Sequence, residues 1–483
     1  MTELVFSSAR SLAALVRRGR IGCLELLDHT IERVERLDPR LNAIVVRDFE
    51  RARKRAKALD RKRAKDDGSG PLYGVPMTTK ESYDVAGLPT TWGFEDRREH
   101  RAAASALAVQ RLEAAGAIVF GKTNVPVGLG DWQSYNPIYG TTNNPWNLEH
   151  TPGGSSGGSA AALAAGLTGF EIGSDIAGSI RVPAAFCGVY GHKPTWGLLP
   201  PRGHALFDAA AMTDISVIGP LARSADDLAL GLGLLGRPDE AETGLSLQLP
   251  APPMQSLEGL RVAIWAEQPG QATDPEIIAL IGAVGAFLRR QGAKVSSAAR
   301  PAFDPTEAFH IFLRLMSAAL SGRLDDERIA AMREAAKRYS TDDMSAEAVM
   351  ARTADLTHRD WLRLNERRHQ IMRAWGAFFQ SWDVLLCPAL ATAALPHRQD
   401  DPLSKRRLTV DGREIHYNDL CFWPGLTGAF HLPATSAPIG FTKAGLPVGM
   451  QIVGPLYGDR TTITVAKLLE KDWHGFVPPS GFD

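Results

Sequence analysis

Thr151-Pro-Gly-Gly-Ser-Ser-Gly-Gly-Ser159 opens a stretch that runs on through AAALAAGLTGF to Glu171-Ile-Gly-Ser-Asp-Ile-Ala-Gly-Ser179-Ile-Arg-Val-Pro183. Four glycines and three serines fill Gly153–Ser159. That composition excludes a strand or helix interior, where each glycine sacrifices stability for backbone freedom. Such a loop brings main-chain N–H groups close to something. A phosphate loop would end in Gly-Lys-Ser/Thr, and this one has no lysine; the dinucleotide Gly-x-Gly-x-x-Gly spacing is missing too. A nucleophile elbow fits formally, since Gly153-Gly-Ser-Ser-Gly157 matches Gly-x-Ser-x-Gly, and it would make Ser155 the nucleophile of an esterase. An elbow needs a strand just before it, whereas Asn143–Pro152 holds two prolines and several turn formers. A purely structural turn before an alanine-rich helix leaves the serine cluster unexplained.

Working outward, the chain has 483 residues, with 54 Lys+Arg balanced by 54 Asp+Glu. At about 150 residues per domain, the length suits one large α/β unit or two to three smaller ones. A hydrophobic share of 44% and a charged share of 22% describe a folded protein with a sizeable core. Zero net charge argues against a broad nucleic-acid or anionic-membrane surface. Cys23, Cys187, Cys387 and Cys421 are too few and too scattered for a disulfide scaffold or a structural zinc site. No histidine or acidic cluster has metal-ligand spacing, and no cofactor loop stands out. The N-terminus lacks the pattern of a secretory signal. The apolar runs Ala160–Gly166 and Ile277–Leu288 fall short of the roughly 18–20 residues that cross a bilayer. A soluble, cytoplasmic protein is expected.

From Ser11 to Lys65 the apolar spacing predicts helices, interrupted at Pro39 and ending in a charged run from Arg51. That run reads as a solvated helix face, since no aromatic residues are interleaved to stack on bases. After a polar break at Asp66–Pro71, strands are predicted at Val75–Thr79, Ile118–Phe120, Phe170–Ile172, Arg261–Trp265, Val384–Leu386 and Gly449–Val453. Helical patterns lie between them at Ser105–Ala115, Ser159–Leu167 and Pro275–Gln291, and Asp304–Phe379 reads as a helical cap. This alternation predicts an α/β fold: a large mixed, mostly parallel-type sheet covered by helices on both faces. We divide the chain into an N-terminal helical segment, 1–70, packed on a unit spanning 71–483 that includes a helical layer at about 270–380.

Two further places join the opening loop. Gly74-Val-Pro-Met-Thr-Thr-Lys80 carries a lysine at the end of an apolar strand, and Gly178-Ser179 offers a second serine after another glycine turn. Together with Asp175, Arg181, Pro183, Cys187, Gly188 and Lys193-Pro-Thr195, these resemble the amidase signature family, at the serine spacing that family requires. The resemblance extends through Gly121-Lys-Thr-Asn124 and Asn143-Asn-Pro-Trp146 to Leu446-Pro-Val-Gly-Met-Gln-Ile-Val-Gly454. It covers most of the chain from Leu72 onward and weakens in the helical layer.

The resemblance implies hydrolysis of a carboxylic amide through an acyl-enzyme, with Ser179 as nucleophile, Lys80 as base and Ser155 as relay, the Gly154–Ser155 peptide being cis. An ordinary lysine is protonated at neutral pH, and lowering its pKa by roughly 3 units costs about 4 kcal/mol. The apolar strand before Lys80 suits that demand. The oxyanion would face the N–H groups of Ile176, Ala177, Gly178 and Ser179. The family most often has glycine where this chain has Ala177, and the methyl is harmless only if φ there is negative. Asp175 and Arg181 are expected to brace the turn, with Ser156 assisting the network. Trp132, Tyr135 and Tyr139, in Val125–Gly140, are expected to form an aromatic pocket wall. The partner is a small-molecule amide, with homodimers common in the family and no metal or cofactor implied. The glutaminase-type subunit of a tRNA-dependent amidotransferase stays open as a second reading. A catalytically dead scaffold is disfavoured, because Lys80 and both serines are present.

Overall fold

The computed structural model describes residues 2–63, 70–206, 209–242, 244–322 and 324–482. Lys65 and most of the Asp66–Pro71 break lie outside the described residues. A small sheet carries the lysine strand: β1 (Ile44–Arg47), β2 (Pro76–Lys80) and β3 (Ile118–Thr123), in the order β1-β3-β2. β2 runs parallel to β3, and β1 antiparallel to it. Every residue of β2 and β3 is buried. The strand β1 sits where the sequence predicts only helix. Its Ile-Val-Val core is too short to show a period of its own between the helices Cys23–Leu37 and Phe49–Arg63.

The large sheet contains β4 (Glu171–Asp175), β5 (Tyr190–Lys193), β6 (Val217–Ala222), β7 (Arg261–Ile264), β8 (Lys294–Ser296), β9 (Val384–Pro388), β10 (Ala434–Phe441) and β11 (Pro447–Val453). Their order is β8-β7-β9-β11-β10-β5-β6-β4. The sheet is large and mixed as expected, but mostly antiparallel rather than mostly parallel. Only β8/β7 and β7/β9 pair in parallel, at one edge. The remaining neighbours run antiparallel. Parallel neighbours need a long crossover. Helix Pro275–Arg290 supplies one between β7 and β8, and the helical layer supplies the other. Helix Arg181–Cys187 also separates two strands, β4 and β5, yet β6 lies between them in the sheet and opposes both. Alternation along the chain therefore overstated the parallel content.

Both faces of the sheet are covered, and the strands show it residue by residue. Val262 and Ile264, with Val384 and Leu386, join an apolar cluster containing Ala160, Ile281 and Ile463. The intervening Ala263, Leu385 and Cys387 face a second cluster with Phe312, Trp375 and Trp423. This is the two-residue period of a strand buried on both sides. The second cluster lies under the helices Pro305–Ser321, Ala346–Ala351 and His358–Ser381, the predicted cap. The N-terminal helices share the first cluster through Leu12, Val16, Leu27 and Ile31. Helix Gly157–Ala164 is buried along its whole length. At Gly158 a Cβ would come within 2.4 Å of the Asn124 amide, so only glycine lets this helix approach β3 so closely. No described helix is long and apolar enough to cross a membrane.

Candidate active site

β2 delivers Lys80 into the interior, where its side chain is wholly buried. Its Nζ donates to Ser155 Oγ at 2.6 Å and to Ser174 Oγ at 2.9 Å. Burial pushes the ammonium pKa down from 10.5 to about 7, against the opposing pull of Asp175 and then Glu171. Glu171 is itself buried, and burial raises its carboxyl to about 8 despite the Thr78 hydroxyl that donates to it at 2.5 Å.

Ser155 precedes helix Gly157–Ala164, and its peptide bond with Gly154 is cis. Residues 151–156 form no strand, so the strand–turn–helix of a nucleophile elbow is not formed around Ser155. A Cβ on Gly154 would come within 2.3 Å of the Asp131 carbonyl, so the segment Asp131–Gln133 packs directly on this loop. The Ser156 amide donates to the Ser179 carbonyl at 3.1 Å and pins the loop against the turn that follows β4.

That turn, 176–180, is organised by a buried ion pair. Asp175 accepts from the amides of Gly178 (2.8 Å) and Ile180 (3.0 Å), and from Arg181 Nε (3.0 Å) and Nη2 (2.8 Å). Burial alone would raise the Asp175 pKa, but the Arg181 guanidinium and its hydrogen bonds bring it to about 2. Arg181 Nη1 continues to Pro424 O (3.1 Å), Thr427 Oγ1 (2.5 Å) and Gln451 Oε1 (2.5 Å). The positive φ of the turn, 99°, falls on Gly178, where a Cβ would press on Val182 and Pro424. Ala177 is not among the positive-φ residues, so its methyl is accommodated.

The expected donor set needs one correction. The Gly178 amide is already held by Asp175 and does not face the cavity as a free donor. Among the described residues, the amides of Ile176, Ala177 and Ser179 have no protein acceptor. The Ala177 carbonyl accepts from Trp132 Nε1 at 3.0 Å, which fixes the back of the turn.

Other expected residues divide. Ser156 Oγ lies 3.4 Å from both the carbonyl and the amide of Ser174 and has no bond to Lys80. Its anticipated place in the network belongs to Ser174, which sequence reasoning passed over. The available signal was a serine next to Asp175 on a strand with no exposed residue, where a hydroxyl must find a partner. Of the aromatic wall, only Trp132 lines a cavity beside Ser179. Tyr135 and Tyr139 sit on a small hairpin, Tyr135–Asn136 with Gly140–Thr141, and are absent from the walls of both cavities at Ser179. The Tyr139 hydroxyl turns instead toward Glu81, at 3.3 Å. Sequence reasoning also missed a buried cluster beside Trp132, where Asp131 accepts from Arg406 (2.9 Å) and from the Tyr417 hydroxyl (2.8 Å).

Two cavities meet at Ser179, which is 6% exposed. The larger, about 1060 Å³, is walled by Ser155, Ser174, Trp92 and His204. The smaller, about 500 Å³, includes Ala177, Trp132 and a group of methionines. Among the described residues, no group of His, Cys, Asp or Glu side chains is arranged to hold a metal ion.

Comparison with known proteins gives the chain its family. The family described as Amidase matches residues 25–463. An acylamidase of Rhodococcus erythropolis is 34% identical, covering 97% of this chain and 96% of its own length. One of the subunits of the glutamyl-tRNA(Gln) amidotransferase of Moorella thermoacetica is 32% identical over 99% of each. Among solved structures, a bacterial aryl acylamidase of the amidase signature enzymes superposes with a TM-score of 0.81 at 26% identity, covering 99% of this chain and 97% of that one. The chain belongs to the amidase family and is an amide-cleaving hydrolase.

Proposed function

We propose that this protein hydrolyses carboxylic amides by itself, with Ser179 as nucleophile, Ser155 as proton relay and Lys80 as base. The observation that carries the reading is a fully buried lysine, its pKa near 7, within 2.6 Å of the Ser155 hydroxyl. An amide carbonyl is a weak electrophile, so the attacking hydroxyl must lose its proton as the bond forms. Ser179 Oγ adds to the carbonyl carbon while its proton passes to Ser155, whose own proton passes to neutral Lys80. The amides of Ile176, Ala177 and Ser179 receive the developing oxyanion. As the C–N bond breaks, Lys80 returns the proton through Ser155 to the leaving nitrogen. Water then attacks the acyl ester by the same relay, releasing the acid and restoring Ser179. Asp175 and Arg181 act on the turn and not on the substrate. The four cysteines are free and buried, which suits a reducing compartment such as the cytoplasm.

Labelling with a small fluorophosphonate tests the assignment. Ser179→Ala abolishes labelling and Ser155→Ala slows it, whereas an adduct mapped to Ser155 would favour the elbow esterase. Glutamine hydrolysis that appears only once a partner protein is added would instead favour the amidotransferase reading.

A further inference from the structure

Ser155 and Ser174 belong to the wall of the larger cavity and not to that of the smaller one, while Ala177 belongs to the smaller and not to the larger. This asymmetry orients the substrate. In the tetrahedral intermediate, the oxygen faces the free amides of the turn, and the nitrogen must face Ser155, which returns its proton. The acyl substituent is left with the remaining direction, into the smaller cavity. We propose that the two cavities sort the halves of the substrate, so that the enzyme acts on N-substituted amides of hydrophobic acids. This rests on the catalytic reading above and adds the substrate class to it.

The walls carry the class. Met316, Met332 and Met350 line the smaller cavity and not the larger, from the helices Pro305–Ser321, Asp326–Ala336 and Ala346–Ala351, together with Trp132 and Tyr417. The carboxylate of Asp131, also on this wall, is occupied by Arg406 and Tyr417 and offers no free charge to an acyl group. Thioether side chains adapt to apolar groups of varied shape. A volume of about 500 Å³ holds a medium-length or aromatic acyl group with room to spare. The other charged members of this wall are Arg338 and Lys405, both exposed to solvent, and Glu347, which faces Arg407 and His416. A zwitterionic acyl portion such as that of glutamine therefore meets screened or already engaged charge, whereas an apolar one meets buried Met316 and Trp132. On the other side, about 1060 Å³ admits an amine that carries a substituent, not merely ammonia. The ester C–O bond forms, the C–N bond breaks, and the serine proton leaves on the amine.

The test uses the purified full chain and a series of acetyl, butyryl and hexanoyl p-nitroanilides. Burying each further methylene is worth about fourfold, so kcat/KM is expected to rise at least tenfold from acetyl to hexanoyl. Met350→Trp, which fills the acyl side, brings the hexanoyl-to-acetyl ratio back toward one, and Ala335→Trp does the same from a different helix. Ala205→Trp, on the wall of the larger cavity, changes the dependence on the amine substituent and keeps the acyl-length slope. A flat or falling acyl series in the wild type overturns the proposal, as does glutamine turnover faster than that of the hexanoyl anilide. A slope flattened by Ala205→Trp but not by the other two variants would reverse the sides and equally overturn it. Fluorophosphonate labelling separates the two layers: intact labelling at Ser179 with no acyl slope removes only the substrate class, whereas absent labelling removes the catalytic reading itself.

Discussion

A lysine serves as a base only where water is kept from its ammonium form, and Lys80 meets that condition by complete burial at the end of β2. Its pKa near 7 fixes the sign of the pH response. Below about pH 7 the amine is protonated and cannot take the serine proton, so kcat/KM is expected to fall on the acid side with a limb centred near 7. A limb about two units lower would place the titration on another group. Lys80→Arg keeps a cation that does not deprotonate, and the expected loss is about 100- to 10,000-fold, the usual worth of general-base catalysis. Circular dichroism on the same variant checks that the fold persists. At this scale the sequence was informative: it singled out Lys80 and Ser155, whose side chains meet at 2.6 Å, and Ser179, which shares a cavity wall with Ser155. Ser174 and the engagement of Gly178 were not singled out, because both depend on how β4 lies beside β2 and how Asp175 turns back on its own loop.

Among the elements, the turn after β4 is held from two sides. Inside, Asp175 and Arg181 form a pair with no solvent contact. Removing one member of such a pair leaves an unpaired buried charge, at about 3–5 kcal/mol. Asp175→Asn is therefore expected to lower the thermal midpoint by several degrees and to erase activity, read by calorimetry and an anilide assay. An unchanged midpoint would mean that the pair is not what fixes the turn. Outside, the Trp132 indole holds the Ala177 carbonyl at 3.0 Å. Trp132→Phe keeps most of the packing and loses this bond, so kcat is expected to drop about fivefold, the effect of one hydrogen bond at roughly 1 kcal/mol, with little change in labelling stoichiometry. The strands Tyr190–Lys193, Val217–Ala222 and Ala434–Phe441 were not legible beforehand. Gly191, Pro220 and Pro438 dilute their β-branched signal, and their burial comes from neighbours far away in the chain.

Across the whole molecule, the site exists because the sheet is closed over by distant segments. Arg181 reaches Thr427 and Gln451, so the C-terminal strand β11 secures the turn that carries Ser179. Gln451 lies in the stretch Leu446–Gly454, so in this chain that stretch and the serine turn are physically joined although far apart in sequence. The helical layer, where the resemblance is weakest, supplies the methionine wall of the smaller cavity. Layers and cap were foreseen from periodicity, but strand direction was not, since pairing order is a property of long-range contacts. The most direct measurement of the account traps the intermediate: the enzyme is quenched in acid during turnover of a hexanoyl anilide and its peptides are weighed. We expect one hexanoyl adduct, on the peptide containing Ser179 and absent in Ser179→Ala. An adduct on Ser155, or turnover with full activity in Ser179→Ala, would contradict the account.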